Sequence, residues 1–423
     1  MPERCGRGAS QAIHTRIIEI EYVLPKGCLV LKKNDPQFPS SGKSVDQVRN
    51  DLNRILERDL TFGSGCILGS MCSKPDSFGA RIFSEQLEKN IGDPGLHPAL
   101  AELEYNTIRT IGDLLHHRDC VGAVVSGGTE ANLLALWTAK NRAGKSRREV
   151  VLPATAHFSF DKAASLMDID LVKIPVDREN RVCIDQYRQA VCPRTMALVG
   201  IAGTTGLGAV DPLSSISELA MKHELYLHID AAFGGFVLPF LESAGYPCDQ
   251  SDFDFQLPGV DSITIDPHKM GRAPIPAGCI IYRSDAIAGH STTDVTYLAG
   301  GYTRQRTIIG TRSGASVAAV WSLIQSLGIE GYTDIVKRCM YMTHWLKDRI
   351  AEIEGIETVI EPVINVLGIK PTGMTPERLA EKLRNRGYAL SLFPGFLRIT
   401  LMPHLSIVNL SRFLHVLEEE AAK

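Results

Sequence analysis

Residues 225–232 read LYLHIDAA and residues 260–271 read VDSITIDPHKMG. Each is an apolar run without polar alternation that stops on charged residues. The first ends in Asp230 followed by two alanines; the second ends in the pair His268-Lys269. Runs of this kind read as strands buried on both faces, which belong to parallel sheets covered by helices. The pattern recurs in GAVV (122–125), EVVL (149–152), LVKI (171–174), MALVGIA (196–202) and GCIIY (278–282). Amphipathic stretches such as EANLLALWTAKNRA (130–143) and SISELAMKHE (215–224) lie between them and read as helices. The expected fold is α/β, with a mostly parallel seven-stranded sheet in a large domain and a smaller α+β region toward the C-terminus.

In open sheets of this kind ligands sit beyond the carboxyl ends of the strands. Asp230 and Lys269 both fall there. An acid and a lysine at neighbouring strand ends suit pyridoxal phosphate: the amine forms a Schiff base with the aldehyde, and the acid keeps the pyridine nitrogen protonated so that the ring can take up electrons. The small Ala231 and Ala232 leave room for a flat ring. Taken alone, a lysine after an apolar run ordinarily marks a strand leaving the core, so the reading depends on its companions.

Three further strand ends supply them. Residues 124–132, VVSGGTEAN, form a strand, a small-residue turn and a helix start. Exposed N–H groups at a helix N-terminus bind phosphate, Gly127 and Gly128 permit close approach, and Thr129 adds a hydroxyl. His157, in AHFSFDK (156–162), follows another strand and offers a flat ring to stack on the pyridine. Thr205, in GTTGLGAVD (203–211), brings a hydroxyl to the same crevice. Each of these is, by itself, also an ordinary cap, turn or buried imidazole.

Composition narrows the classes. The chain has 423 residues, long enough for two domains or one large one, and a net charge of −3, which gives no bulk attraction to nucleic acid or anionic membrane. No apolar stretch approaches the roughly 20 residues that span a bilayer, and the N-terminus lacks the apolar segment of a secretory signal. The ten cysteines are scattered, with no zinc-type spacing, so no metal is expected and the thiols read as reduced and cytoplasmic.

Along the chain, residues 1–43, with Pro25, Pro36 and Pro39, read as an N-terminal extension. Residues 44–96 read as a helical segment with substrate-side loops. The helix is expected to start at Ser44, capped with Gln47, and to carry Val45, Val48, Leu52, Ile55, Leu56 and Leu60 on one face. Residues 97–310 form the large cofactor-binding domain and 311–423 the small domain.

In order, SGGTEAN, TAHFSFDKA, GTTGLGAVDP, HIDAAFGGF and IDPHKMG resemble the group II pyridoxal phosphate-dependent amino acid decarboxylases, of the aspartate aminotransferase fold type. The likeness is strongest to the archaeal L-tyrosine/L-aspartate decarboxylases. GSMCSKP (69–75), NIGDPGL (90–96) and GTRSGA (310–315) support it, and it runs from about residue 45 to the C-terminus. The resemblance implies a carboxy-lyase that converts L-aspartate to β-alanine or L-tyrosine to tyramine, for coenzyme A or methanofuran synthesis. It implies a homodimer with a small amino acid as substrate. Lys269 matches the Schiff-base lysine, His268 the neighbour that reaches the phosphate, Asp230 the pyridinium partner, Ala232 the small residue under the ring and His157 the stacking histidine. Gly128, Thr129 and Thr205 match cofactor contacts.

Three assignments are looser. Residues 297–307, YLAGGYTRQRT, fall where relatives carry a mobile loop whose tyrosine protonates the carbanion, often in the partner's site. Tyr302 is the candidate, against an ordinary surface tyrosine. Arg398, in FLRIT, is a candidate clamp for a substrate carboxylate, against a structural ion pair. His97 is a candidate wall of the substrate site. The competing readings are a carbon–carbon or carbon–sulfur lyase of the same fold, such as one acting on a phosphorylated sphingoid base, an aminotransferase, and a non-catalytic subunit.

Overall fold

The seven apolar runs become the seven strands of one sheet. In chain order these are β1 (Val121–Val125), β2 (Glu149–Pro153), β3 (Asp170–Ile174), β4 (Thr195–Ile201), β5 (Tyr226–Asp230), β6 (Ser262–Ile265) and β7 (Gly278–Tyr282). The computed structural model describes residues 38–144, 146–248 and 252–422. Across the sheet the order is β1-β7-β6-β5-β4-β2-β3. β2, β3, β4, β5 and β6 pair in parallel, whereas β7 runs antiparallel to both β1 and β6.

Chain connectivity explains that exception. Parallel neighbours need a crossover, and the helices Ser159–Met167, Ile184–Ala190 and Leu213–His223 supply it between successive strands. No long helix separates β6 from β7; residues 266–277 turn straight back, so β7 returns antiparallel. β1, β2, β4, β5 and β6 therefore point the same way and end on one edge, where β7 begins. β2, β4, β5, β6 and β7 are buried along their whole length, which explains their lack of polar alternation. Burying one side chain such as Leu227 or Ile229 contributes about 1.5–3 kcal/mol.

Beyond the large sheet, β8 (Thr293–Leu298) and β9 (Gly301–Gln305) form a hairpin with Leu298 opposite Gly301. Here the structure differs from the expected loop. The β-branched run TDVTYL and the segment GYTRQ pair across the two-residue turn Ala299-Gly300, and the glycines read as a loop signal are the turn. A four-stranded antiparallel sheet of order β10-β11-β13-β12 follows, made from β10 (Ile356–Thr358), β11 (Val366–Pro371), β12 (Ser391–Phe393) and β13 (Phe396–Thr400). It lies after the long helix Gly314–Ile350, which is interrupted at Gly328.

Contacts divide the chain after Arg58 into two units, the second being residues 59–423. In the first, Ser44 caps the helix Val45–Leu56 and forms a reciprocal capping box with Gln47, as its sequence predicts. The helix stops at Leu56, so Leu60 lies beyond it. None of its residues is buried; Val45, Val48, Leu52, Ile55 and Leu56 are all exposed. The expected extension at 1–43 falls, up to residue 37, outside the described residues. Among the described residues no helix is long and apolar enough to cross a membrane.

Candidate active site

Lys269 follows β6 by four residues, and its backbone N–H closes a turn onto the Asp266 carbonyl. The same turn brings the side chains together: Lys269 Nζ lies 3.0 Å from Asp266 Oδ2. Burial alone would push the ammonium down, but the Asp266 and Asp230 carboxylates outweigh it and its pKa stands above the usual lysine value. His268 Nδ1 lies 2.6 Å from the Ala277 carbonyl, which can only accept, so the ring carries its proton on Nδ1. Its Nε2 is 3.7 Å from Asp266 Oδ2. Burial pushes the His268 imidazole down, against the nearby Asp266.

Asp230 closes β5. Its Oδ2 accepts from Asn132 Nδ2 at 2.9 Å and its Oδ1 from the Ala232 N–H at 3.1 Å. Ala232 is the second of the two small residues after the acid.

At the end of β1, Gly127 has φ 158° and ψ 178°, a conformation open to glycine alone. A Cβ there would lie 3.1 Å from His268 Cε1. One on Gly128 would lie 2.9 Å from Asp266 Oδ2 and 3.2 Å from the Ala232 Cβ, and one on Gly278 would strike the Gly127 backbone. Missing side chains thus let the β1 turn close against the β6 turn. The 16-residue helix Gly128–Ala143 starts here without a side-chain cap, which leaves its first N–H groups and its positive dipole end to the crevice.

His157 begins the turn before the helix Ser159–Met167. Its Nδ1 accepts from the Ser159 N–H at 3.3 Å and lies 3.0 Å from Ser159 Oγ, so the ring proton sits on Nε2. Burial is the main cause of its lowered pKa, which keeps the ring neutral.

These strand ends enclose a cavity of about 350 Å³. Lys269, His268, Asp230, Ala232, His157, Gly128, Thr129 and Thr205 all line it. Met71, Phe158 and Ile275 give it an apolar rim, with Phe158 and Ile275 more than half exposed.

The three looser candidates do not line this cavity. Arg398, on β13, donates to the Thr205 carbonyl at 2.7 Å, to Ser391 Oγ at 2.8 Å and to the Gly69 carbonyl. Among the described residues no carboxylate pairs with it, which removes the structural ion pair as an explanation. Its Nε is buried without a partner, and burial pushes the guanidinium down to about 10. Thr205 joins it to the cavity, since its carbonyl holds Arg398 while the residue itself lines the wall. His97 is the N-cap of the helix Pro98–Leu114. Two residues earlier, Gly95 packs directly on Gly300 of the β8–β9 turn. Tyr302 lies on β9, 63% exposed, with its hydroxyl donating to Asp294 Oδ1 at 2.7 Å.

Sequence reasoning missed Asp266, Asn132 and Ser159. Asp266 stands in the quoted IDPHK string, three residues before the lysine, where one turn brings the two together. Asn132 was quoted as the end of a phosphate turn, but its position one turn into the helix aims it at the strand ends instead.

The description "Pyridoxal-dependent decarboxylase conserved domain" matches residues 29–369. A probable L-aspartate decarboxylase from Thermococcus gammatolerans is 44% identical over 382 residues, covering 90% of this chain and 99% of that one. A probable L-tyrosine/L-aspartate decarboxylase from Methanothrix thermoacetophila is 44% identical over 384 residues, covering 90% and 97%. Among solved structures, a sphingosine-1-phosphate lyase from Burkholderia pseudomallei superposes with a TM-score of 0.84 at 28% identity, over 92% of each chain.

Proposed function

The chain belongs to the pyridoxal-dependent decarboxylases, and from that premise we propose that it removes the α-carboxylate of L-aspartate to give β-alanine and CO2. Aspartate is the substrate common to the names of both archaeal relatives. The observation that carries the reading is the convergence of Lys269, Asp230 and His157 on one cavity whose neighbouring cation, Arg398, has no carboxylate of its own.

The residues fit the family's cofactor. The glycine turn that any Cβ would fill, beside an uncapped helix start, suits a phosphate. His268 lies beside it. Lys269 supplies the amine for the aldehyde, the Asp230 carboxylate suits a protonated ring nitrogen, and the neutral His157 offers a ring face. When bound, pyridoxal phosphate supplies the conjugated system that takes up the electrons left behind by departing CO2.

The chain's own groups do the rest. Arg398 holds a substrate carboxylate, the burial around it strengthening that attraction. Met71, Phe158 and Ile275 keep water from the cavity mouth, which favours loss of the carboxylate as neutral gas. The same apolar rim supports a second reading, L-tyrosine to tyramine, with the ring lying against Phe158.

We also propose a homodimer in which Tyr302 serves the neighbour's site. Tyr302 lies outside its own chain's cavity, and the helix Val45–Leu56 carries an uncovered apolar face. The eight cysteines among the described residues are all unpaired, which supports a reducing, cytoplasmic setting. A β-alanine product places the reaction before coenzyme A synthesis, and a tyramine product before methanofuran synthesis. Residues 311–423 are proposed as the small domain.

The test is to incubate cofactor-loaded protein with each common amino acid and identify amines by mass. β-Alanine formed fastest, from aspartate, is the expected result. Tyramine as the main product supports the second reading. Cleavage of a phosphorylated sphingoid base without amine release from any amino acid overturns both.

A further inference from the structure

Beneath Asp230, the interior of the large sheet holds a run of polar side chains that none of the roles above uses. Tyr226 and His228 stand on β5, Ser262 and Thr264 on β6, and Asn132 on the helix Gly128–Ala143. All five are at most 1% exposed.

Their hydrogen bonds admit one polarity. Asn132 Nδ2 donates to Asp230 Oδ2 and to Ser159 Oγ, both at 2.9 Å. Its Oδ1 accepts from Thr264 Oγ1 at 2.8 Å and from His228 Nε2 at 3.0 Å. A flipped amide would set its oxygen against the carboxylate and its NH2 against two donors. His228 therefore carries its proton on Nε2, and its Nδ1 accepts from Ser262 Oγ at 2.8 Å. Ser262 Oγ in turn accepts from the Tyr226 hydroxyl at 2.6 Å. Donation runs one way: Tyr226 to Ser262 to His228 to Asn132 to Asp230. Burial holds the Tyr226 phenol well above its usual range and His228 at about 4, so both keep these roles across the neutral range.

A core needs none of this for packing. Apolar side chains of like volume would fill the space, and buried polar networks are favourable only when fully satisfied. This one is satisfied, and it ends on the one carboxylate whose other oxygen takes a single donor, the Ala232 N–H, beside the cavity.

We infer that Asn132 and His228 are positioning residues for Asp230: the one-way chain gives Oδ2 a permanent donor and keeps the carboxylate a pure acceptor toward the cavity, so that the ring nitrogen of bound cofactor stays protonated. The inference rests on Asp230 being the ring nitrogen's partner. Lys269 and His157 also face Asp230, Asp266 acts on both, and none of them touches Oδ2. The chain is thus the means by which the sheet interior sets the carboxylate.

The test reads the ring nitrogen directly. Protein loaded with ring-15N pyridoxal phosphate is titrated by NMR without substrate. Asn132→Leu and His228→Leu should lower the pH at which the ring nitrogen loses its proton by about one unit or more, a tenfold change in that equilibrium. His228→Gln, whose amide still donates to Asn132, should fall between His228→Leu and the parent. Ser262→Ala, the least disruptive change, should move the midpoint in the same direction by less, and decides the matter if a leucine variant does not fold. Asp230→Asn is the control. If it shifts the midpoint while the Asn132, His228 and Ser262 variants titrate with the parent, the relay is wrong and the Asp230 assignment stands. If Asp230→Asn also leaves the midpoint unmoved, the assignment itself fails and takes the relay with it.

Discussion

Lys269 Nζ lies 3.0 Å from Asp266 Oδ2, and the pair is closed by a single turn at the end of β6. Asp266 Oδ1 is buried without a hydrogen-bond partner, so the ammonium is the carboxylate's main compensation. With Asp230 added, two acids hold one lysine in its charged form, whereas capture of an aldehyde needs the free amine.

Cofactor loading should therefore depend on pH. Because the Lys269 pKa is raised, the free-amine fraction at neutral pH is small and grows as pH rises. The rate at which apoprotein gains its visible absorption band should climb between about pH 7 and 9, since each unit multiplies the free amine about tenfold below the pKa. Asp266→Asn should raise the rate at pH 7 and flatten the climb. Equal profiles for variant and parent would remove Asp266 from control of the lysine.

Asp230→Asn keeps the shape of the side chain and its contacts with Asn132 and Ala232 while removing the charge. Turnover should fall by roughly two orders of magnitude or more, the size that electrostatic stabilisation commonly carries. Steady-state assay of purified variant and parent gives the comparison; activity within a few-fold would end the assignment.

Much of this arrangement is legible in the sequence because it lies at strand ends. Apolar runs without alternation mark β1 to β7, and whatever follows each run must sit on one edge. That logic finds Asp230, Lys269, His157 and the Gly127-Gly128 turn. It does not find Asn132, whose partners stand 27 to 132 positions away and meet it only through the sheet order. Nor does it reveal that Arg398 lacks a carboxylate partner, which depends on what packs around β13. The hairpin β8–β9 escaped because its turn glycines look like a loop until the strands pair.

His228 gives a stability prediction. Its folded pKa, about 4, lies below the ordinary histidine value, so the buried neutral ring favours folding above pH 6.5. As pH falls from 6.5 toward 4, the unfolded chain gains a proton that the folded one cannot take, which costs about 3 kcal/mol. His228→Gln should lose less stability than the parent over that range, as read from thermal melts at stepped pH. Parallel curves would mean that His228 does not titrate as its burial requires.

Tyr302 is exposed on β9 and held by Asp294 in the single chain. If its hydroxyl delivers the proton to Cα in the partner's site, Tyr302→Phe should still release CO2 but yield more aldehyde and less amine under air. An unchanged ratio at an unchanged rate would return it to the role of a surface tyrosine.

The most direct test of the central claim follows the carbon. Cofactor-loaded protein is given L-aspartate labelled with 13C at C1 in one vessel and at C4 in another. The α-carboxylate should leave: labelled CO2 appears from the C1 substrate alone, and β-alanine keeps the C4 label in full. Labelled CO2 from the C4 substrate, or none from either while the visible band is intact, would contradict the assignment.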